Sequence, residues 1–194
     1  MTKPRLPAHA TCVFKGEIFE VYQWPQPLFD GTTATFEMAR RQPNTTVLAL
    51  DEAGNILYAA QEQPNKPPYL SLFGGRVEVG EDPLQAAQRE LLEETGLVSD
   101  DWALLYTANA TPKVDWPQYL YLARNCRQVA SPQLDAGEKL TLHRCTLAEF
   151  FSDILPQPNF HRQLLQELLF TQPHPTAVAA LLEKLQRKAS SDEQ

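Results

Sequence analysis

The chain begins as a succession of short β-prone runs separated by breaks. Residues 1–10, with two prolines and no apolar periodicity, read as a loose arm. Residues 11–14 and 17–23 flank Lys15-Gly16 and predict a hairpin. The second run is expected to stop at Trp24-Pro25-Gln26-Pro27, because proline has no N–H to give to a ladder. A third run, 32–40, ends at Gln42-Pro43-Asn44. Residues 45–50 and 56–60, rich in aliphatic and β-branched side chains, flank Asp51-Glu52-Ala53-Gly54-Asn55 and predict strand, turn, strand. Three prolines in residues 63–68 make that segment a loop, and the apolar run 69–73 then delivers the chain to Gly74-Gly75.

The period then changes from two to that of a helix. Asp82 is a good cap, Pro83 suits the first helical position, Gln85 can reach back, and Gly96 can close the last turn, so the helix is expected over 83–95. Leu84, Ala87 and Leu91 fall on one face, and Glu90, Glu93 and Glu94 on an adjacent arc. Three carboxylates on one arc repel. Arg89 can pair with Glu93 one turn on, and a hard divalent ion, which takes oxygen ligands, would offset the rest. Glu81 precedes the helix and can join the cluster through the loop.

Beyond the helix, residues 102–108 and 119–124 read as strands joined by a polar loop, 109–117, and a further strand, 139–146, follows the turn at 135–137. Residues 147–155 have helical spacing, 158–170 read as an amphipathic helix, and 175–188 as a last helix with Ala177, Leu181, Leu182 and Leu185 on one face. Residues 189–194 read as a frayed end, and no internal repeat is present.

Length and composition narrow the function classes. A chain of 194 residues, 43% hydrophobic and 21% charged, suits one domain with extensions. Its formal charge of −7, from 24 acidic and 17 basic residues, disfavours nonspecific nucleic-acid binding. Cys12, Cys126 and Cys145 show no metal-ligand spacing and read as reduced thiols. Without a signal-like N-terminus or an apolar stretch approaching the roughly 20 residues needed to cross a bilayer, a soluble cytoplasmic protein is expected, with no membrane partner.

One stretch carries more information than these averages. Residues 75–97 read GRVEVGEDPLQAAQRELLEETGL, with Gly75, Glu81, Arg89, Glu90, Leu91, Glu93, Glu94, Gly96 and Leu97 at fixed spacing. The pattern resembles the signature of the Nudix hydrolases, which cleave a nucleoside diphosphate linked to another group using water and a divalent metal. The resemblance implies an α/β Nudix fold, a mixed β-sheet sandwiched between helices, here with extra N-terminal β-strands. It divides the chain into an extension, 1–44, a Nudix core, 45–170, and a C-terminal helix and tail, 171–194. It makes Glu90 and Glu94 metal ligands, Glu93 a further ligand or acid–base group, Glu81 an outer ligand, and the carbonyl at Gly74 another contact. Arg89 would orient the glutamates. The cofactor implied is Mg²⁺, with Mn²⁺ as an alternative.

The layout further resembles the ADP-ribose and nucleotide-sugar pyrophosphatase branch, in which N-terminal strands often serve dimerisation and a late acidic loop supplies a base. That implies a homodimer, Glu138 as base, and Asp135 as its substitute, the alternative being an ordinary acidic turn. The chain departs from the branch in lacking a proline where Leu72-Phe73 stands and an arginine near Gln63. Trp24, Phe29, Tyr69 and Trp116 are candidates to stack on a base, the alternative for each being ordinary core. Arg40 or Arg41 is a candidate for phosphate or sugar, and Lys113 a weaker one; His143 reads as structural. The expected activity is hydrolysis of ADP-ribose or a related nucleoside diphosphate sugar. Competing expectations are a dinucleoside polyphosphate or noncanonical nucleoside triphosphate as substrate, or a catalytically silent nucleotide-sugar-binding regulator.

Overall fold

The structure, a computed structural model, describes residues 5–134, 136–161 and 165. The N-terminal hairpin pairs β1 (Thr11–Lys15) with β2 (Phe19–Pro27), and β2 continues through both prolines along β3 (Thr33–Arg41). The expected stop at Trp24-Pro25 is therefore corrected. The Leu28 N–H donates to the Thr32 carbonyl, so by alternation the even-numbered residues at this end of β2 face β3. Pro25 and Pro27 face the other side, where β1 has already ended opposite Gln23, and no ladder bond is lost.

The remaining strands are β4 (Asn44–Asp51), β5 (Ile56–Glu62), β6 (Tyr69–Ser71), β7 (Leu97–Val98), β8 (Asp101–Thr111), β9 (Val114–Gln128) and β10 (Lys139–Cys145). Helix α1 spans Pro83–Thr95, and α2 (Leu147–Glu149) runs into a π-helical turn, Phe150–Ile154. Among the described residues the strands join in the order β1-β2-β3-β9-β4-β5-β10, with β6 on β5 and both β7 and β8 on β9. Strand β9 is parallel to β3 and β4 and antiparallel to β8, so the sheet is mixed.

The expected polar loop at 109–117 is also corrected, because β8 and β9 pair as far as Thr111 opposite Val114. The polar residues there are satisfied within the hairpin. Asn109 donates to Asp115 at 3.0 Å and accepts the Trp116 N–H at 2.8 Å. At the other end of the chain, the carbonyl of Asn159 and the N–H of His161 bond to Leu70, so this segment runs along β6 where a helix had been expected to begin. Leu165 is helical and buried; the rest of the 158–170 expectation, the 175–188 helix, residues 189–194 and residues 1–4 of the N-terminal arm lie outside the described residues, while residues 5–10 form no strand or helix.

Alternation along β4 divides the interior into two layers. Val47 and Ala49 pack with Leu57, Phe73, Ala87 and Leu91 under α1, while Leu48 and Leu50 pack with Ile56, Leu120, Leu122 and Phe150 on the opposite face. The sheet is thus covered on one face by α1 and on the other by the α2 segment, as the expected α/β architecture requires. Burying both faces explains why β4 reads as a continuous apolar run.

Candidate active site

Helix α1 has the bounds its sequence predicts. Asp82 accepts the Leu84 N–H, the Gln85 side chain accepts from the Asp82 N–H, and Gly96 closes the helix in the left-handed conformation at φ 73°. Ala86, Ala87 and Leu91 are buried, which fixes the rotation of the helix and turns its glutamates towards the Gly74-Gly75 corner. Two close approaches keep that corner free of side chains. Gly74 sits at φ 135°, and a Cβ there would come within 2.9 Å of the Thr45 carbonyl carbon; one on Gly75 would come within 2.5 Å of the Glu90 carboxyl carbon. The Glu94 carboxylate accepts the Gly74 N–H at 2.9 Å.

Arg89 gathers the cluster. Its guanidinium donates to Glu81 at 3.0 and 3.2 Å, to Glu90 at 2.9 Å, to Glu93 at 2.9 Å and to the Arg76 carbonyl at 2.9 Å. One side chain therefore ties the loop before the helix to two positions on it, as the rigid fork of an arginine allows. These carboxylates hold the Arg89 guanidinium more firmly protonated than usual, with Glu81 the largest influence. The same bond holds the Glu81 carboxyl below the usual range.

Away from Arg89 the balance reverses. Burial, only partly offset by the Gly74 N–H, pushes the Glu94 carboxyl up to about 8, with repulsion from Glu90, Glu138 and Glu93 adding to it. Burial also raises Glu90 despite Arg89 beside it. The corner thus holds more negative charge than its guanidinium neutralises.

It opens into a cleft of about 1210 Å³. Gly74, Arg89, Glu90, Glu93 and Glu94 line one side. Glu138, held by the Gln63 amide at 2.8 Å, lines it too, as do Tyr69 and Trp116. The structure therefore brings Glu90, Glu93, Glu94, Glu138 and Trp116 to one cavity, whereas Glu81 is held behind them by Arg89 and is not among its walls. Trp24, Arg40 and Phe29 are not among its walls. Trp24 is buried against Phe36 with its indole N–H on Gln26, Arg40 pairs with Asp115, and Phe29 is fully exposed beside the β2–β3 turn. Each is placed by β2, β3 or the turn between them, which join the sheet beyond β9. Arg41 reaches the cleft indirectly, its guanidinium lying 4.0 Å from the centre of the Trp116 ring. Lys113 lies over Phe36 and His143 stacks on Tyr58, while Asp135 lies outside the described residues.

A profile of the NUDIX domain matches residues 40–168. The chain belongs to the NUDIX family. A protein of Bacillus methanolicus named methanol dehydrogenase activator is 28% identical over 140 residues, 71% of this chain and 76% of its own length. The ADP-ribose pyrophosphatase of Bacillus subtilis is 29% identical over 103 residues, 53% of this chain; the match spans only 51% of that protein. A solved structure described as an ADP compounds hydrolase superposes with a TM-score of 0.71 at 20% identity, covering 93% of this chain and 95% of that one. This likeness shows a shared fold over most of the chain.

The Nudix glutamates offer the donor chemistry of a hard divalent ion, namely buried and half-buried carboxylates in excess over the cation among them. In the arrangement described, Arg89 holds Glu81, Glu90 and Glu93, and no three acidic, His or Cys side chains among the described residues converge as a ready ligand set. The donors fit such an ion: Glu90 and Glu93 each give Arg89 one oxygen, which leaves the other to a ligand. The cleft also contains residues that the sequence reading missed: Asn44, Gln61, Arg76, Gln118 and His161. One signal was available for Gln118. It follows Trp116 and precedes Leu120 and Leu122 on one face of β9, a polar residue in an inward-facing register.

Proposed function

We propose that this Nudix protein hydrolyses the pyrophosphate bond of ADP-ribose or a related nucleoside diphosphate sugar, giving a nucleoside monophosphate and a sugar phosphate. The supporting observation is buried Glu94 with half-buried Glu90 one helical turn before it, both lining a cleft that also holds Trp116 and Glu138. The match to the B. subtilis ADP-ribose pyrophosphatase supports the substrate class. In this reading Glu90, Glu93, Glu94 and the Gly74 carbonyl would hold Mg²⁺, or Mn²⁺ in its place, with Glu81 as an outer ligand. The bound ion supplies charge neutralisation at the diphosphate oxygens and a more acidic water.

The chain's own residues do the rest. Arg89 fixes the glutamates' orientation through the fork described above. Gln63 holds one oxygen of Glu138, leaving the other to accept the proton of the attacking water. The new bond joins water oxygen to phosphorus, the bridging P–O bond breaks, and its electron pair leaves with the departing phosphate. Trp116, backed on one side by Arg41, offers a surface for the substrate.

The test is a panel of ADP-ribose, other nucleotide sugars, dinucleoside polyphosphates and nucleoside triphosphates incubated with protein and Mg²⁺, with products identified. Release of AMP and ribose 5-phosphate from ADP-ribose is expected. Pyrophosphate from a triphosphate, or a mononucleotide only from dinucleoside polyphosphates, would replace the substrate assigned. The relative named as an activator favours a second reading, a nucleotide-sugar-binding regulator; ADP-ribose bound without AMP release would support it.

The remaining parts of the reading are a homodimer, a cytoplasmic location and the division 1–44, 45–170 and 171–194. Among the described residues no helix is long and apolar enough to cross a membrane. The dimer is supported by apolar side chains on the N-terminal strands and their turn, with Val13 52%, Phe14 58% and Ile18 53% exposed. Sedimentation should give twice the 21.9 kDa chain mass; a monomer at assay concentration would remove the dimer from the proposal.

A further inference from the structure

The sheet floor of the cleft contains buried polar atoms that no described residue satisfies. In β4 and β9, which run parallel, Asn44 stands opposite Gln118, so the two side chains lie beside one another on the same face. Further along that face the pairs become Thr46 with Leu120 and Leu48 with Leu122, and the stripe merges into the core. A polar pair therefore replaces the apolar stripe where it reaches the cleft. Gln118 is only 3% exposed, yet among the described residues its Nε2 has no hydrogen-bond partner, and neither have the Asn44 Oδ1 and the Trp116 Nε1. All three residues line the cleft.

A buried donor or acceptor left unpaired has lost its water without a replacement, and in a native protein it calls for an explanation. A satisfied amide would stiffen the floor, whereas an unsatisfied one beside a cavity is available to a ligand. The floor is close to the glutamate corner: the N–H of Thr45 donates to the Gly75 carbonyl, and Asn44 bridges Arg76. A group bound there would belong to the same ligand as a diphosphate on the glutamates.

Its chemistry follows from what the floor offers. The amides carry no charge and present both donors and acceptors, so they match a neutral group with both functions on one edge better than they match a phosphate. Trp116, two residues before Gln118 on that face of β9, adds an aromatic surface. A planar heterocycle with a hydrogen-bonding edge uses both features, since amide side chains read adjacent donor and acceptor atoms of bases and aromatic rings support base faces.

We propose that Gln118 and Asn44, beside Trp116, form the subsite that reads the nucleobase edge of the substrate. In adenine that edge carries an exocyclic amino donor next to a ring-nitrogen acceptor. The amide torsions are broad, so either side chain can turn to present the required atom. The proposal deepens the function proposed above and rests on it for the identity of the nucleotide.

The test is binding, which does not require turnover. Titration calorimetry on the full chain compares AMP with ribose 5-phosphate, which lacks the base, for the wild type, Gln118→Leu and Asn44→Ala. The wild type should bind AMP at least tenfold more tightly than ribose 5-phosphate. Gln118→Leu should remove most of that preference, weakening AMP about tenfold or more while leaving ribose 5-phosphate unchanged, and Asn44→Ala should act in the same direction. Leucine there continues the apolar row of Leu120 and Leu122 and relieves an unpaired amide, so the melting temperature should hold or rise. No AMP preference in the wild type would overturn the proposal, as would a preference that survives both substitutions. Equal weakening of AMP and ribose 5-phosphate would assign the amides to ribose or phosphate and overturn the base assignment. Failure of the wild type to release AMP from ADP-ribose, with the binding preference intact, would count against the catalytic reading alone.

Discussion

The two sides of the cleft are built on opposite principles. On the helix side the functional groups are bonded before any ligand arrives: Glu81, Glu90 and Glu93 to Arg89, and Glu94 to the Gly74 N–H. On the sheet floor the Asn44 Oδ1, Gln118 Nε2 and Trp116 Nε1 atoms are buried and unpaired among the described residues. The difference follows from charge. Buried carboxylates left without partners are too costly to tolerate, so their positions are determined by the fold itself. A neutral amide without a partner costs far less, so it can wait for a ligand. Pre-bonded charge suits chemistry, which depends on fixed geometry, and unpaired neutral groups suit recognition.

If the helix side is the chemical side, Glu94→Gln should have the largest effect. Turnover of ADP-ribose should fall by about three orders of magnitude, the scale associated with losing an acid–base or electrostatic group, while the circular dichroism spectrum stays unchanged. Activity within tenfold of wild type would break the comparison on this side. The same variant carries a pH signature in metal-free protein. Because burial raises the folded Glu94 carboxyl to about 8, from 4.5, the folded state keeps a proton that the unfolded state releases across that interval. Wild-type stability from this group is therefore present below pH 4.5 and lost as pH rises towards 8. Denaturant titrations with chelator between those values should show the loss, and Glu94→Gln should flatten it.

Next in size is Gly75→Ala. The added methyl would occupy the position of the Glu90 carboxylate, so kcat for ADP-ribose should fall about a hundredfold, given the sensitivity of catalysis to misplacement by an ångström. KM should change little. A mere loss of thermal stability with kcat intact would mean that the glycine serves packing alone. The smallest expected effect tests the floor. Asn109→Ala removes the acceptor for the Trp116 N–H and the donor to Asp115, loosening the hairpin beneath the indole. KM should rise a few-fold, for a hydrogen bond worth about 1 kcal/mol, with kcat preserved. An equal fall in kcat would instead tie Trp116 to the reacting end of the substrate.

The helix side was legible in the sequence because its determinants are local. Asp82, Pro83, Gln85 and Gly96 fix the ends of α1, and the helical period places Glu90, Glu93 and Glu94 on one arc whatever the rest of the chain does. The need for glycine at 75 was legible as a pattern, but its cause lies in the Glu90 carboxylate, and that for glycine at 74 lies in the Thr45 backbone on β4. The floor was less legible. Tryptophan looks alike in any sequence, and only strand order separates Trp116, on β9 in the cleft, from Trp24, on β2 beyond it.

The breaks misread at residues 24–27 and 109–117 have the same origin. Whether a proline disrupts a strand depends on which edge lacks a neighbour, and whether a polar segment loops depends on whether its side chains satisfy one another across a hairpin. The sequence by itself determined the capped helix, its carboxylate arc and the alternating β-runs, because covalent spacing and helical period set those relations over a few residues. The tertiary structure alone decided that Asn44 and Gln118 stand side by side on the cleft floor. They lie far apart in the chain, and only the parallel register of β4 on β9 brings them together.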